Sequence, residues 1–168
     1  MRNAFVLTAS MTLACLSAVS AAPAAEVPAT PNQVELEAKF AKTMSHAVMR
    51  GGFTLGEIKP DQALKEDKYT LGEVKKLDSG KWLFSTRIQY GDHDVTVPLI
   101  LDVVWAGDTP VITLTKFTVP GLGMFTARVL VYGDQYAGTW DGGDHGGHLF
   151  GVIERPEKKA ADAPAETK

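Results

Sequence analysis

The sequence predicts a mainly β fold: an antiparallel meander of seven or eight strands forming a small barrel or sandwich, with one N-terminal amphipathic helix. Three observations lead there. From Gly52 to Glu154 apolar residues recur at every second position, the period of a strand with one buried face. Turn chemistry falls between these runs, at Asp78-Ser79-Gly80, Gly91-Asp92, Gly107-Asp108-Thr109-Pro110, Pro120-Gly121 and Gly133-Asp134. The connections are too short for crossover helices, so neighbouring strands run antiparallel.

Residues 1–25 read as a secretory signal peptide. Arg2 supplies a positive start, Ala4 to Val19 form an uncharged and mainly apolar run, and small residues crowd the positions up to Ala25. Cuts after Ala21 or Ala24 both satisfy a small-x-small rule. The run is at the short end for a bilayer span and ends without a stop-transfer cluster, so no transmembrane span is expected after cleavage. The single cysteine, Cys15, invites a lipoprotein reading, but Thr12-Leu13-Ala14 departs from the Leu-small-small pattern and the apolar run continues past it. The expected location is periplasmic or secreted. A mature chain without thiols rests on its packed core alone.

Residues 26–50 form an N-terminal segment with a helix expected from Pro31 to Arg50. Thr30-Pro31-Asn32-Gln33 has the form of a capping box, with proline at the first helical position. Leu36, Phe40, Met44, Ala47 and Val48 recur at spacings of three and four, and Gly51-Gly52 offers a stop.

The β domain is expected over 51–154. Trp82, Phe84, Ile88 and Tyr90 alternate with Lys81, Ser85, Arg87 and Gln89. Val95 to Trp105, Val111 to Val119, Met124 to Tyr132, Gln135 to Trp140 and His148 to Glu154 continue the series. An internal echo, Phe53-Thr54-Leu55-Gly56-Glu57-Ile58-Lys59 and Tyr69-Thr70-Leu71-Gly72-Glu73-Val74-Lys75, suits two successive strands joined by a polar loop from Pro60 to Asp67. Gly56 and Gly72 would mark a bulge or sharp bend in each. Residues 155–168, rich in Ala, Pro and charge, are expected to be a disordered tail.

The chain has 17 basic and 20 acidic residues; removing Arg2 with the signal leaves 16 against 20, a net charge of −4. That mild acidity argues against nucleic acid or an anionic membrane as the main partner. Nucleophilic catalysis finds no signature: there is no Gly-x-Ser-x-Gly, no phosphate loop and no dinucleotide fingerprint.

Two constellations offer sites. The glycine-rich stretch from Tyr136 to Gly151 places Asp141, Asp144, His145 and His148 within eight positions, suitable ligands for a divalent metal such as zinc. The competing reading is a hairpin turn whose Asp side chains bond the backbone. On the run Met124 to Tyr132, Arg128 shares a face with Met124, Thr126, Leu130 and Tyr132, while Phe125, Ala127, Val129 and Val131 form the other, purely apolar face. Either face could be the interior of a closed sheet. If the first is, Arg128, Tyr132 and Trp140 become candidate contacts for a small amphipathic ligand, Arg128 clamping a carboxylate. If the second is, Arg128 reaches solvent along its stem. Asp92-His93-Asp94 reads as a solvated hairpin tip, and Asp102 as outward-facing or paired.

The run Tyr136 to Ile153, with the turn Pro120-Gly121-Leu122-Gly123, resembles the ending of an uncharacterised family of small exported bacterial β proteins, which carries no function to transfer. Gly138-Thr139-Trp140 and the string of short strands are more distantly similar to the calycin class of ligand-binding barrels, lipocalin-like and avidin-like. In that class a Gly-x-Trp motif lies on the first strand, whereas here it falls near the end, so the likeness is one of architecture. The expected function is therefore a non-catalytic exported domain that binds a small amphipathic ligand or serves a structural envelope role. The alternatives are a divalent-metal protein using the 141–148 loop and an interaction module for an envelope polymer or protein partner.

Overall fold

The computed structural model describes residues 32–57 and 61–156. The signal-peptide reading of residues 1–25, the expected cap at Thr30-Pro31 and the tail beyond Pro156 lie outside the described residues. In chain order the elements are α1 Gln33–Met44, β1 Val48–Phe53, β2 Lys65–Lys76, β3 Trp82–Tyr90, β4 His93–Ala106, β5 Thr109–Val119, β6 Gly123–Tyr132, β7 Gln135–Asp141 and β8 Gly146–Glu154. Each strand pairs antiparallel with the next, and β8 pairs back onto β1, closing an eight-stranded barrel. Of the two architectures the alternation allowed, closure is the one that leaves no exposed sheet edge.

The alternation resolves which face is inside. On β3, Trp82, Phe84, Thr86 and Ile88 are buried, with Leu83, Ser85, Arg87 and Gln89 between them. On β4 the interior takes Val97, Leu99 and Leu101, and outward-facing Asp102 is held by Lys81 through both oxygens at 2.9 Å. On β6 the apolar face of Ala127, Val129 and Val131 points inward, which places Arg128 and Tyr132 on the outer wall.

The helix is shorter than its apolar spacing suggested. Asn32, not Thr30, is the described N-cap, its side chain accepting from the Val34 N–H at 3.1 Å. The helix stops at Met44 because Ser45 is extended, and its hydroxyl accepts from the Val74 N–H at 3.0 Å. His46 follows at φ 62°, in an exposed turn rather than on a helix face. From Val48 onward the chain is captured between β2 and β8, with hydrogen-bonded ladders on both sides, so Gly51-Gly52 lie inside a strand.

The sequence echo is not a structural repeat. Its second copy lies wholly in β2, where the register shifts between Leu71 and Val74 around Gly72, the expected bulge. Its first copy begins on the last residue of β1 and runs past the strand end, with Gly56 at φ +72°. The loop between the two ends earlier than expected, since Lys65, Glu66 and Asp67 already pair with β1.

Strand direction gives the barrel two distinct ends. The turns β2–β3, β4–β5 and β6–β7 share one end with α1, which plugs it. The Phe40 ring meets Trp82, Phe84 and Trp105 edge-on, at centroid distances of 5.0, 6.2 and 6.0 Å. Met44 and Ala47 are fully buried behind it. Arg155 fastens the plug: its guanidinium donates to the carbonyl oxygens of Thr43 and Gly133 and to the Asp134 carboxylate. The first residue of the expected tail thus belongs to the fold. At the other end lie the β1–β2, β3–β4, β5–β6 and β7–β8 connections.

Candidate ligand cavity

The barrel is hollow at that second end. A cavity of about 760 Å³ runs inward from it, the size of a small-molecule site. Its depth is lined by aliphatic and aromatic side chains from seven strands, among them Met49, Leu71, Phe84, Leu99, Ile112, Ala127 and Leu149. Strand pleating aims these side chains inward. The inward position of β6 between Phe125 and Val129 carries only Ala127, which lines the cavity. Its short side chain leaves room opposite the bulky β3–β4 wall.

A collar of rings surrounds the mouth. Starting from β4, His93 lies against Tyr90 at 4.7 Å, Tyr90 against Phe53 at 5.9 Å, and Phe53 against Trp140 at 5.7 Å. Trp140 then meets Phe125 at 6.4 Å and His145 at 5.3 Å. The Lys, Asp and His side chains among the lining residues stand at this rim: Lys65, Asp92, His93 and His145. Within the wall, the Trp140 indole N–H and the Thr86 hydroxyl have no hydrogen-bond partner among the described residues.

A buried carboxylate braces the interior. Asp67 is 3% exposed, and its two oxygens accept from the Tyr69 hydroxyl at 3.0 Å and the Tyr136 hydroxyl at 3.1 Å. Burial pushes the Asp67 carboxyl above its ordinary value, partly offset by these two hydrogen bonds. Both tyrosine hydroxyls are pushed up as well, first by burial and then by the neighbouring carboxylate. By its polar neighbours in sequence, Asp67 reads as the end of the loop that begins at Pro60. The missed signal is the alternation Asp67, Tyr69, Leu71 against Glu66, Lys68, Thr70, which extends the β2 pattern back by one inward position.

The sequence-derived candidates separate. Trp140 lines the cavity. Arg128 and Tyr132 do not join it: Arg128 donates to the carbonyl oxygens of Leu114 and Ala127 and to the Thr115 hydroxyl, and Tyr132 is 70% exposed on the outer wall. In the glycine-rich loop, Asp141 accepts from the Gly143 N–H at 2.8 Å, as a turn residue does. Asp144 pairs with the His145 ring, which holds its carboxyl below the usual range. His145 lines the cavity, while His148 stands exposed on β8 next to inward-facing Leu149. Among the described residues no three His, Cys, Asp or Glu side chains are grouped to hold a metal ion. Asp92-His93-Asp94 likewise divides, with His93 in the collar and Asp94 ion-paired to Arg87 at 2.6 Å.

No family model matches the chain, and no curated protein or solved structure is significantly similar to it.

Proposed function

We propose that this is an exported, non-catalytic binding protein of calycin-like architecture that takes one small, mostly apolar molecule into its barrel. The observation that carries the reading is the cavity itself: about 760 Å³ of apolar bore, plugged at one end by α1 and open at the other through an aromatic collar. An apolar ligand gains from leaving water for such a bore, by about 25 cal/mol per Å² of apolar surface covered. The unpartnered indole N–H of Trp140 and hydroxyl of Thr86 favour a ligand that also carries a hydrogen-bonding group, hence an amphipathic one. The rim places Lys65, Asp92, His93 and His145 where the polar end of such a molecule would meet water.

The test uses the neutral fluorophore N-phenyl-1-naphthylamine as probe. Wild-type protein should bind it saturably, one per chain, with enhanced emission. Ala127→Phe, which fills the bore from β6, should abolish the signal while the far-ultraviolet circular dichroism stays that of a β barrel. Absence of saturable binding to the wild type, or undiminished binding to a folded Ala127→Phe variant, overturns the reading.

A further inference from the structure

The mouth of the bore combines aromatic rings with carboxylates. Four rings of the collar line it: Phe53, Tyr90, Phe125 and Trp140. Phe53 meets Tyr90 and Trp140 almost perpendicularly, at 89° and 82°. A perpendicular contact covers one ring face of the pair, whereas stacking covers two, so electron-rich faces are left for a guest. A cation within about 6 Å of such a face is attracted by the ring quadrupole, more strongly where water is excluded. An anion in the same place is repelled.

The connections around the mouth add negative charge. In sequence the four of them, residues 54–64, 91–92, 120–122 and 142–145, hold Glu57, Asp61, Asp92 and Asp144 against Lys59. Asp144 pairs with the His145 ring, but Glu57, Asp61 and Asp92 form no ion pair among the described residues. Asp92 also lines the cavity. Groups that would grip an anion are few by comparison. The described lining contains no arginine: Arg128 is held on the outer wall, and Arg87 is paired with Asp94. Its single lysine, Lys65, stands exposed at the outermost paired position of β2, opposite Phe53.

We propose that the molecule taken into the bore is a cationic amphiphile, with its apolar tail in the depth and an alkylated ammonium head among the collar rings. Asp92 at the rim supplies the counter-charge. The proposal rests on the reading of the bore as a ligand site and adds the sign of the ligand's charge. Two attractions act on the head. The ring faces favour a quaternary ammonium and hold it at short range. The carboxylates act through water, over a screening length of about 8 Å at physiological salt. The preference therefore has a part that salt removes and a part that it leaves.

Displacement of N-phenyl-1-naphthylamine from the bore tests this. The two competitors share one tail, dodecyltrimethylammonium and dodecanoate, each kept below its micelle concentration. Dodecyltrimethylammonium should displace the probe at a concentration about tenfold lower than dodecanoate requires. Trp140→Leu keeps the wall apolar and removes a ring face; Asp92→Asn changes an exposed turn. Each should cut that ratio about threefold with circular dichroism unchanged. Sodium chloride at about 0.5 M should lower the ratio in the wild type, and less so in Asp92→Asn. Equal displacement by the two competitors, or a preference for dodecanoate, overturns the proposal and leaves the bore a ligand site. A preference undiminished in both variants overturns it as well, because net acidity of the chain alone would then explain it. A wild type that never binds the naphthylamine removes the ligand site itself, and this proposal with it.

Discussion

The Tyr136 hydroxyl on β7 donates to the buried Asp67 carboxylate on β2 at 3.1 Å, across the two strands that close the barrel. Register puts Gly151 and Gly51 in the row between them, and a Cβ on Gly51 would stand 2.6 Å from the Tyr136 oxygen. The tyrosine can cross only because both intervening residues lack side chains. One hydrogen bond thereby ties together the two walls flanking the closing seam.

Removing that donor leaves a buried carboxylate short of a partner. Tyr136→Phe should cost about 1–3 kcal/mol of stability at neutral pH, the range for an orphaned buried acceptor. Urea unfolding measures it; a loss below about 0.5 kcal/mol would show that the hydrogen bond contributes little.

The same carboxylate makes stability depend on pH. Burial raises its folded-state value above that of the unfolded chain, so the folded protein holds the proton more tightly. Its contribution is therefore fully present below the ordinary carboxylate range and is lost as pH rises through the raised value. Asp67→Asn has no proton to release, and unfolding free energies measured from pH 3.5 to 7 should lack that downward step. Identical profiles for both proteins would contradict the assignment.

Phe40 is 3% exposed and meets three other aromatic rings at the plugged end. Phe40→Ala should cost about 3–5 kcal/mol. A change within about 0.5 kcal/mol in thermal or denaturant unfolding would mean that the plug is not part of the core.

The loop histidines face different ways, so zinc titrated into chelator-treated protein should give a flat calorimetric trace at micromolar protein. The double variant His145→Ala, His148→Ala should fold normally, since both residues are exposed. Stoichiometric zinc binding that the double variant loses would restore the metal site that the residue types suggested.

Export is the remaining expectation. Mass spectrometry of the secreted or periplasmic fraction should find a mature N-terminus between Ala22 and Glu26. Full-length chain in the cytosol, or lipid on Cys15, would refute it.

What the sequence made legible follows from the reach of its signals. The alternation on β3 and β4 picks out the interior because its large apolar residues, Trp82, Phe84 and Ile88 on β3 and Val97, Leu99 and Leu101 on β4, keep strictly to one face. It could not choose between the faces of β6, since Leu130 and Val129 are equally apolar and only closure decides which is enclosed. β1 was hidden because Ala47 and Val48 continue the helix stripe of Leu36, Phe40 and Met44, and Gly51-Gly52 look like a helix stop. Asp67 and Tyr136 are far apart in the chain and meet only across the seam. The cavity was invisible for a simpler reason: it depends on which faces closure encloses, and its lining joins residues as distant as Met49 and Leu149.

The order of pairing has a kinetic consequence. Every strand pairs with its sequence neighbour except at the seam, where Val48 lies opposite Glu154. Successive hairpins can form from local contacts, whereas joining β8 to β1 closes nearly the whole domain into a loop and bears the largest chain-entropy penalty. The seam is also where glycines replace interlocking side chains. The amides of β1 that face β8 should therefore gain protection last during refolding, and exchange first among the barrel strands in the native protein.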